Sequence, residues 1–191
     1  MGATQPVRLR SIGAQEFRIA GLTRLLRQYT DPMNDRFTSR GHIVKPEWID
    51  AYDHMNMARY VALFDDVTYE LLDGIGLGLE STRKTHQGLF IVDARVRFLK
   101  ELRLGTPLEV RLRFVGVDHV RLHMWAELCE EGSDIISATQ EQLGLHANLQ
   151  SRKTLRFTDE QRGQIESVVL THRAEPGHAE RPLLLWPSDS R

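Results

Sequence analysis

The hydrophobic period of this chain changes once, and that change decides what it can fold into. Met57, Tyr60, Val61, Phe64, Val67, Leu71, Leu72 and Ile75 recur at spacings of three and four, which places them on one buried face of a helix. Asp65, Asp66, Glu70 and Asp73 take much of the remaining surface, and Gly74, Gly76 and Gly78 follow where a helix would stop. Beyond a polar stretch through His86 the period becomes two. Phe90, Val92, Ala94, Val96 and Phe98 alternate with Ile91, Asp93, Arg95, Arg97 and Leu99, which predicts a strand with one apolar face. Leu108, Val110, Leu112 and Phe114 repeat the alternation, as do Val120, Leu122, Met124, Ala126 and Leu128, and residues 135–149 read as a final strand. The turns at Gly105-Thr106-Pro107, Asp118-His119 and residues 130–134 are short, so the strands form an antiparallel meander. A short extended run, His42 to Trp48, precedes the helix. The order fits an α+β fold, one antiparallel sheet wrapped around one long apolar helix, with the charged second face of the sheet left in water.

The flanks are different. The first thirty residues hold Arg8, Arg10, Arg18, Arg24 and Arg27 against the single acid Glu16. They read as an amphipathic arm, as sequence upstream of a true start at Met33, or as a transit peptide. At the other end, Thr158-Asp159-Glu160 is a helix start with Thr158 as cap and acids in the first turn, and Ile165, Val168, Val169 and Leu170 give that helix a modest apolar stripe. The expected organisation is an extension over residues 1–38, one domain over 39–174 and a tail over 175–191.

Composition excludes several classes. A formal net charge of −1 gives no bulk attraction to nucleic acid or to an anionic membrane. One cysteine, Cys129, rules out an internal disulfide and a cysteine-rich zinc site, and it reads as a packing residue. No window reaches the ~18 consecutive apolar residues of a membrane span. A cytoplasmic protein with no membrane partner is the expectation. His119 and His123 fall in a turn and a strand with no third ligand beside them, so no metal is expected.

The densest polar cluster, Asp50-Ala51-Tyr52-Asp53-His54-Met55-Asn56, stands just ahead of the long helix. A helix N-terminus carries free N–H groups and partial positive charge, which suit an oxyanion, and a nearby carboxylate can attack a carbonyl or activate water. The same residue types also serve as caps and turn formers, and spacing alone leaves both readings open. Asp93 reads equally as a catalytic carboxylate or as one half of a cross-strand ion pair. Glu141 and Gln142 face opposite ways and rank below it. Arg95, Arg97, Lys100 and Arg103 form a basic run able to meet phosphates, or simply a solvated strand face.

The stretch Pro46-Glu47-Trp48-Ile49-Asp50-Ala51-Tyr52-Asp53-His54-Met55-Asn56 resembles the Asp-Tyr-Asn-Gly-His-Met-Asn segment of the 4-hydroxybenzoyl-CoA thioesterase-like hotdog family. The likeness extends through the strand Gly88 to Glu101 and the run Ala138 to His146, so that it spans roughly residues 41 to 150. Within the family, Glu-Trp-Ile-Asp at 47–50 and the late Glu-Gln-Leu run are most similar to the betainyl-CoA thioesterases. The resemblance implies a hotdog fold and hydrolysis of a small acyl-CoA, betainyl or aromatic, to the free acid and CoA. It makes Asp50 the nucleophile or general base, with His54 and Asn56 orienting it and Asp93 as a further catalytic candidate. Tyr52, Asp53, Arg95, Arg97 and Lys100 become candidate substrate contacts. It implies no cofactor beyond the CoA of the substrate, and a homodimer or a dimer of dimers with the cleft between subunits. One departure stands out: relatives usually have glycine where this chain has Asp53, a carboxylate able to repel an oxyanion. A hotdog hydratase or dehydratase, or a non-catalytic acyl-CoA binding protein, are the competing readings.

Overall fold

A computed structural model describes residues 36–172. Five strands form one antiparallel sheet: β1 (Phe37–Ile43), β2 (Gln87–Phe98), β3 (Pro107–Val117), β4 (Arg121–Glu130) and β5 (Ile136–Asn148). Their order across the sheet is β1-β3-β4-β5-β2, which leaves β1 and β2 at the edges. The long helix α1 (Met57–Gly74) lies on one face; α2 (Leu79–Thr85) follows it, and α3 (Asp159–His172) closes the described chain. No helix is long and apolar enough to cross a membrane, among the described residues.

The core is the contact between α1 and the even-numbered residues of β3 and β4. Tyr60, Leu63, Phe64, Val67 and Leu71 meet Leu108, Val110, Leu112, Phe114, Leu122, Met124 and Leu128, all buried. Each such side chain contributes roughly 1.5–3 kcal/mol of burial. The hotdog arrangement expected from the helix-to-strand change of period is therefore what forms. Thr158 caps α3 as expected: its hydroxyl accepts the Gln161 N–H (3.1 Å), and the Gln161 side chain accepts the Thr158 N–H (2.9 Å), a reciprocal pair. Ile165, Val168 and Val169 are buried, while Leu170 is exposed.

Five expectations change. First, β1 starts at Phe37 and ends at Ile43, and Pro46–Trp48 is a 3-10 turn. The boundary placed at 38/39 thus cuts a strand whose Phe37 is buried and pairs with Leu112; the remainder of that extension, and all but the start of the tail, lie outside the described residues. Second, the polar stretch before His86 contains α2, which has no apolar stripe to announce it. Third, β2 does not keep one apolar face. Its register with β5 slips between Ile91 and Asp93, so Phe90 shares a face with Asp93, and Ile91 joins Ala94, Val96 and Phe98. Fourth, Met57 and Val61 are exposed despite their place in the helical repeat. Fifth, the second face of the sheet is not left in water. Glu109, Arg113, His123, Glu127 and Glu141 are all buried there. They can be, because the charges pair: Arg111 with Glu109 at 2.6 Å, Arg113 with Glu127 at 3.4 Å and His123 with Glu141 at 2.9 Å.

Candidate functional site

The loop before α1 is a closed turn. Ile49 and Met55 bridge its ends, the Asp50 N–H donates to the His54 carbonyl (2.9 Å), and the Asp53 N–H donates to the Asp50 carbonyl (3.2 Å). Asp50 Oδ1 accepts the Tyr52 N–H at 2.8 Å, an Asx turn that fixes one carboxylate oxygen and leaves Oδ2 for chemistry. The side chain is half-buried. Asn56 caps α1: its side-chain oxygen accepts the Ala58 N–H (2.9 Å) and its carbonyl accepts the Arg59 N–H (2.8 Å). That cap spends Asn56 on the helix, so the orienting role expected for it becomes an indirect one. The Met57 N–H, first amide of the helix, meets no acceptor among the described residues and points with the helix dipole.

Asp53 adopts φ 61°. This left-handed conformation is strained for most side chains, and Asp tolerates it better than most. A glycine in relatives and an aspartate here satisfy the same backbone.

The loop is docked on the segment after β2. The Met55 N–H donates to the Leu102 carbonyl (2.8 Å), and the Asn56 N–H donates to the Trp48 carbonyl (2.8 Å). This docking brings Glu101 against His54, with Oε2 and Nε2 2.7 Å apart, while Glu101 Oε1 accepts from Arg103 (3.0 Å). Buried Tyr60 stands in the same group. Burial raises its hydroxyl pKa, a hydrogen bond with the Leu102 backbone opposes the rise, and the Glu101 and Asp50 charges add to it. Its ring meets Phe98 edge-on at 5.3 Å.

Of the expected site residues, the structure brings together Asp50, Tyr52, Asp53, His54 and Asn56. Tyr52 is 80% exposed, so its ring is free to meet a ligand. It does not bring the others. Asp93 pairs with Leu143, Arg95 with Glu141 and Arg97 with Thr139, all on the face of β2 turned away from α1. The bulge at Ile91/Asp93 fixes that, so within one chain the sheet separates Asp93 from Asp50. Lys100 reaches Glu130 instead (2.6 Å). The basic residues thus form no single patch. Glu101 and Tyr60 are the members that residue patterns missed. Glu101 ends the second stretch that carries the family likeness, which is the one signal that pointed near it. Cys129 is buried with its thiol pushed up to about 11, chiefly by burial, so it is inert as a nucleophile. No group of three metal-binding side chains exists among the described residues.

Residues 44–165 match the family model of the thioesterase-like superfamily. A betainyl-CoA thioesterase of Pseudomonas aeruginosa is 33% identical over 133 residues, covering 70% of this chain and 84% of that one. A Staphylococcus aureus protein solved in complex with CoA superposes with a TM-score of 0.68 at 25% identity, covering 83% of this chain and 98% of that one. The 1,4-dihydroxy-2-naphthoyl-CoA thioesterase of Synechocystis shares the fold, with a TM-score of 0.60 at 16% identity over 71% of this chain and 96% of that one.

Proposed function

We propose that this chain, which belongs to the thioesterase-like superfamily and is an acyl-CoA thioester hydrolase, cleaves its substrate at the Asp50 loop. The observation that carries the reading is the Asx turn, which holds one Asp50 oxygen and presents the other at the N-terminus of α1. That oxygen attacks the thioester carbonyl or takes the proton of an attacking water. The Met57 N–H and the positive end of α1 stabilise the oxyanion. Thiolate is a good leaving group, so little acid assistance is needed. Glu101 holds the His54 imidazole, and Tyr60 supports the loop through Leu102. The exposed Tyr52 ring is the contact for the acyl group. Asp53 has its own explanation in the backbone, which removes the main argument for a binding protein without turnover.

Betainyl-CoA heads the substrate candidates, on the strength of the P. aeruginosa relative, with aromatic acyl-CoAs second. CoA enters only as part of the substrate, and no resident cofactor takes part, so chelation is expected to leave turnover unchanged. Edge strand β2 is the proposed dimer contact. It exposes Ile91, Val92, Phe98 and Leu99, an apolar edge that a single chain leaves open to pairing. Two copies joined edge to edge by an antiparallel pair keep their sheet faces. Asp93 therefore stays on the outer face and has no catalytic role in this proposal. A reducing, cytoplasmic setting suits the lone buried thiol.

Thiol release from a panel of betainyl-, aromatic and short straight-chain CoA thioesters tests the reading, for wild type and Asp50→Asn. Turnover of one class that falls about 10²–10⁴-fold in the variant is expected. Undiminished turnover in Asp50→Asn would remove Asp50 from the mechanism.

A further inference from the structure

Between β1 and the flank of α1 lies a cavity of about 510 Å³ that no step of the hydrolysis uses. It opens where β1 is irregular: the register with β3 shifts between Ser39 and His42, and Gly41 sits at φ 82°, as at a bulge. Two aromatic rings, Trp48 and Tyr69, and three carboxylates, Asp66, Glu70 and Asp73, line it. The carboxylates stand four and three residues apart on α1 and so share one side of the helix.

Two of the three are held in place. The Ser39 hydroxyl donates to Glu70 (3.1 Å) and lies 2.9 Å from His42 Nε2, while Asp73 accepts the Glu80 N–H (3.1 Å). Asp66 makes no hydrogen bond or ion pair among the described residues. The Lys45 ammonium, also at the cavity wall, lies 5.4 Å from the Trp48 ring centroid. One aromatic face of this cavity thus already holds a cation.

The lining selects by charge. Three carboxylates against one ammonium repel phosphate, which excludes the anionic arm of CoA. A metal ion is a poor fit, since no three side chains among the described residues are placed to hold one. An alkylated ammonium fits both parts of the wall. It needs no hydrogen-bond acceptor, it is attracted to the faces of Trp and Tyr, and it gains from a nearby carboxylate. We propose that this cavity binds a small organic cation of the quaternary-ammonium class, seated against Trp48 and Tyr69 with Asp66 as its free counter-charge. The site is separate from the Asp50 loop and does not depend on the assignment made there.

The test uses choline and its neutral isostere 3,3-dimethylbutan-1-ol, titrated into the full-length chain and followed by NMR at the Trp48 indole and Tyr69 ring signals. Choline is expected to shift those signals and the isostere is not. Trp48→Leu and Asp66→Asn should each weaken choline binding by about threefold to tenfold; Asp66 is exposed, so its variant tests the site without risk to the fold. Lys45→Met should strengthen binding, because it removes an internal competitor for the Trp48 face. Asp50→Asn should abolish thiol release yet leave choline binding as it was. Equal response to both ligands, no response to either, or loss of choline binding in Asp50→Asn would each overturn the proposal. Thiol release is scored separately, so either conclusion can fail alone.

Discussion

His172, at the end of α3, should make the fold sensitive to acid in a way one substitution can reverse. Its ring is 4% exposed, meets Phe37 edge-on at 4.9 Å, and accepts the Phe114 N–H on Nδ1 at 2.9 Å. That bond lies beyond the end of β1, where Phe114 has no strand partner on that side. A proton would land on the lone pair already in use, so the bond holds the neutral ring. Burial, and after it the Arg113 guanidinium, push the imidazole down to about 4 from 6.5. Its place in the last turn of a helix favours a cation, but that effect is smaller than the burial. The unfolded chain takes up the proton near 6.5 and the folded chain only near 4, so stability rises with pH between them. The contribution is complete above about 6.5 and is lost as pH falls. At about 1.4 kcal/mol per pKa unit the loss is roughly 2 kcal/mol by pH 5 and roughly 3 kcal/mol by pH 4. His172→Gln keeps an acceptor for Phe114 but cannot be protonated. Urea unfolding followed by tryptophan fluorescence from pH 4 to 8 should show the variant about 1 kcal/mol less stable than wild type at neutral pH, from lost ring contacts. It should be more stable than wild type near pH 4.5. His123 and His146 are also lowered by burial, but they are common to both proteins and cancel in the difference. Parallel curves that never cross would refute the reasoning.

Four more outcomes are expected. Glu101→Gln removes the charged partner of His54 from a half-exposed pair, so kcat should fall about twofold to fivefold with KM nearly unchanged in steady-state thiol release. Asp53→Ala should cost about 1 kcal/mol in chemical denaturation, because alanine tolerates φ 61° less well, while Asp53→Gly should be near neutral. Gly144→Ala should cost about 1–3 kcal/mol, since the new methyl would stand 2.5 Å from the Leu89 side chain. Ile91→Lys with Phe98→Lys on edge strand β2 should give a monomer by sedimentation, and a dimer that survives both charges would refute the β2 contact.

The parts of the fold that were legible are those where one period persists over a whole element. Helix α1 and strands β3 and β4 each bury a continuous face, so solvent exclusion writes a repeat into the residues. Where no such face exists, no repeat exists either. Strand β1 starts with Arg36-Phe37-Thr38-Ser39, buried throughout, because charge pairing and hydrogen bonds rather than apolar contact make it acceptable inside. Helix α2 is held at its start by Asp73, whose carboxylate accepts the Glu80 N–H and packs so closely on Gly78 that no Cβ fits there. Both contacts cross element boundaries. The β2 bulge was hidden by an alternation that looks perfect, and only the pairing with β5 reveals the slip.

The same distinction governs the site. Asp50, His54 and Asn56 are close in sequence, so a local pattern exposed them. Glu101 reaches His54 only because the Met55 N–H finds the Leu102 carbonyl, a contact no periodicity encodes. Asp53 shows the limit from the other side. Judged by charge, it argued against an oxyanion; judged by φ, it answers a demand of the backbone that glycine meets elsewhere. Two substitutions separate these influences. Asp53→Asn keeps the tolerance for a left-handed backbone and removes the charge, whereas Asp53→Ala removes both. If the charge matters to catalysis, the two variants change kcat together; if only the backbone matters, alanine alone disturbs the loop and Asp53→Asn behaves as wild type.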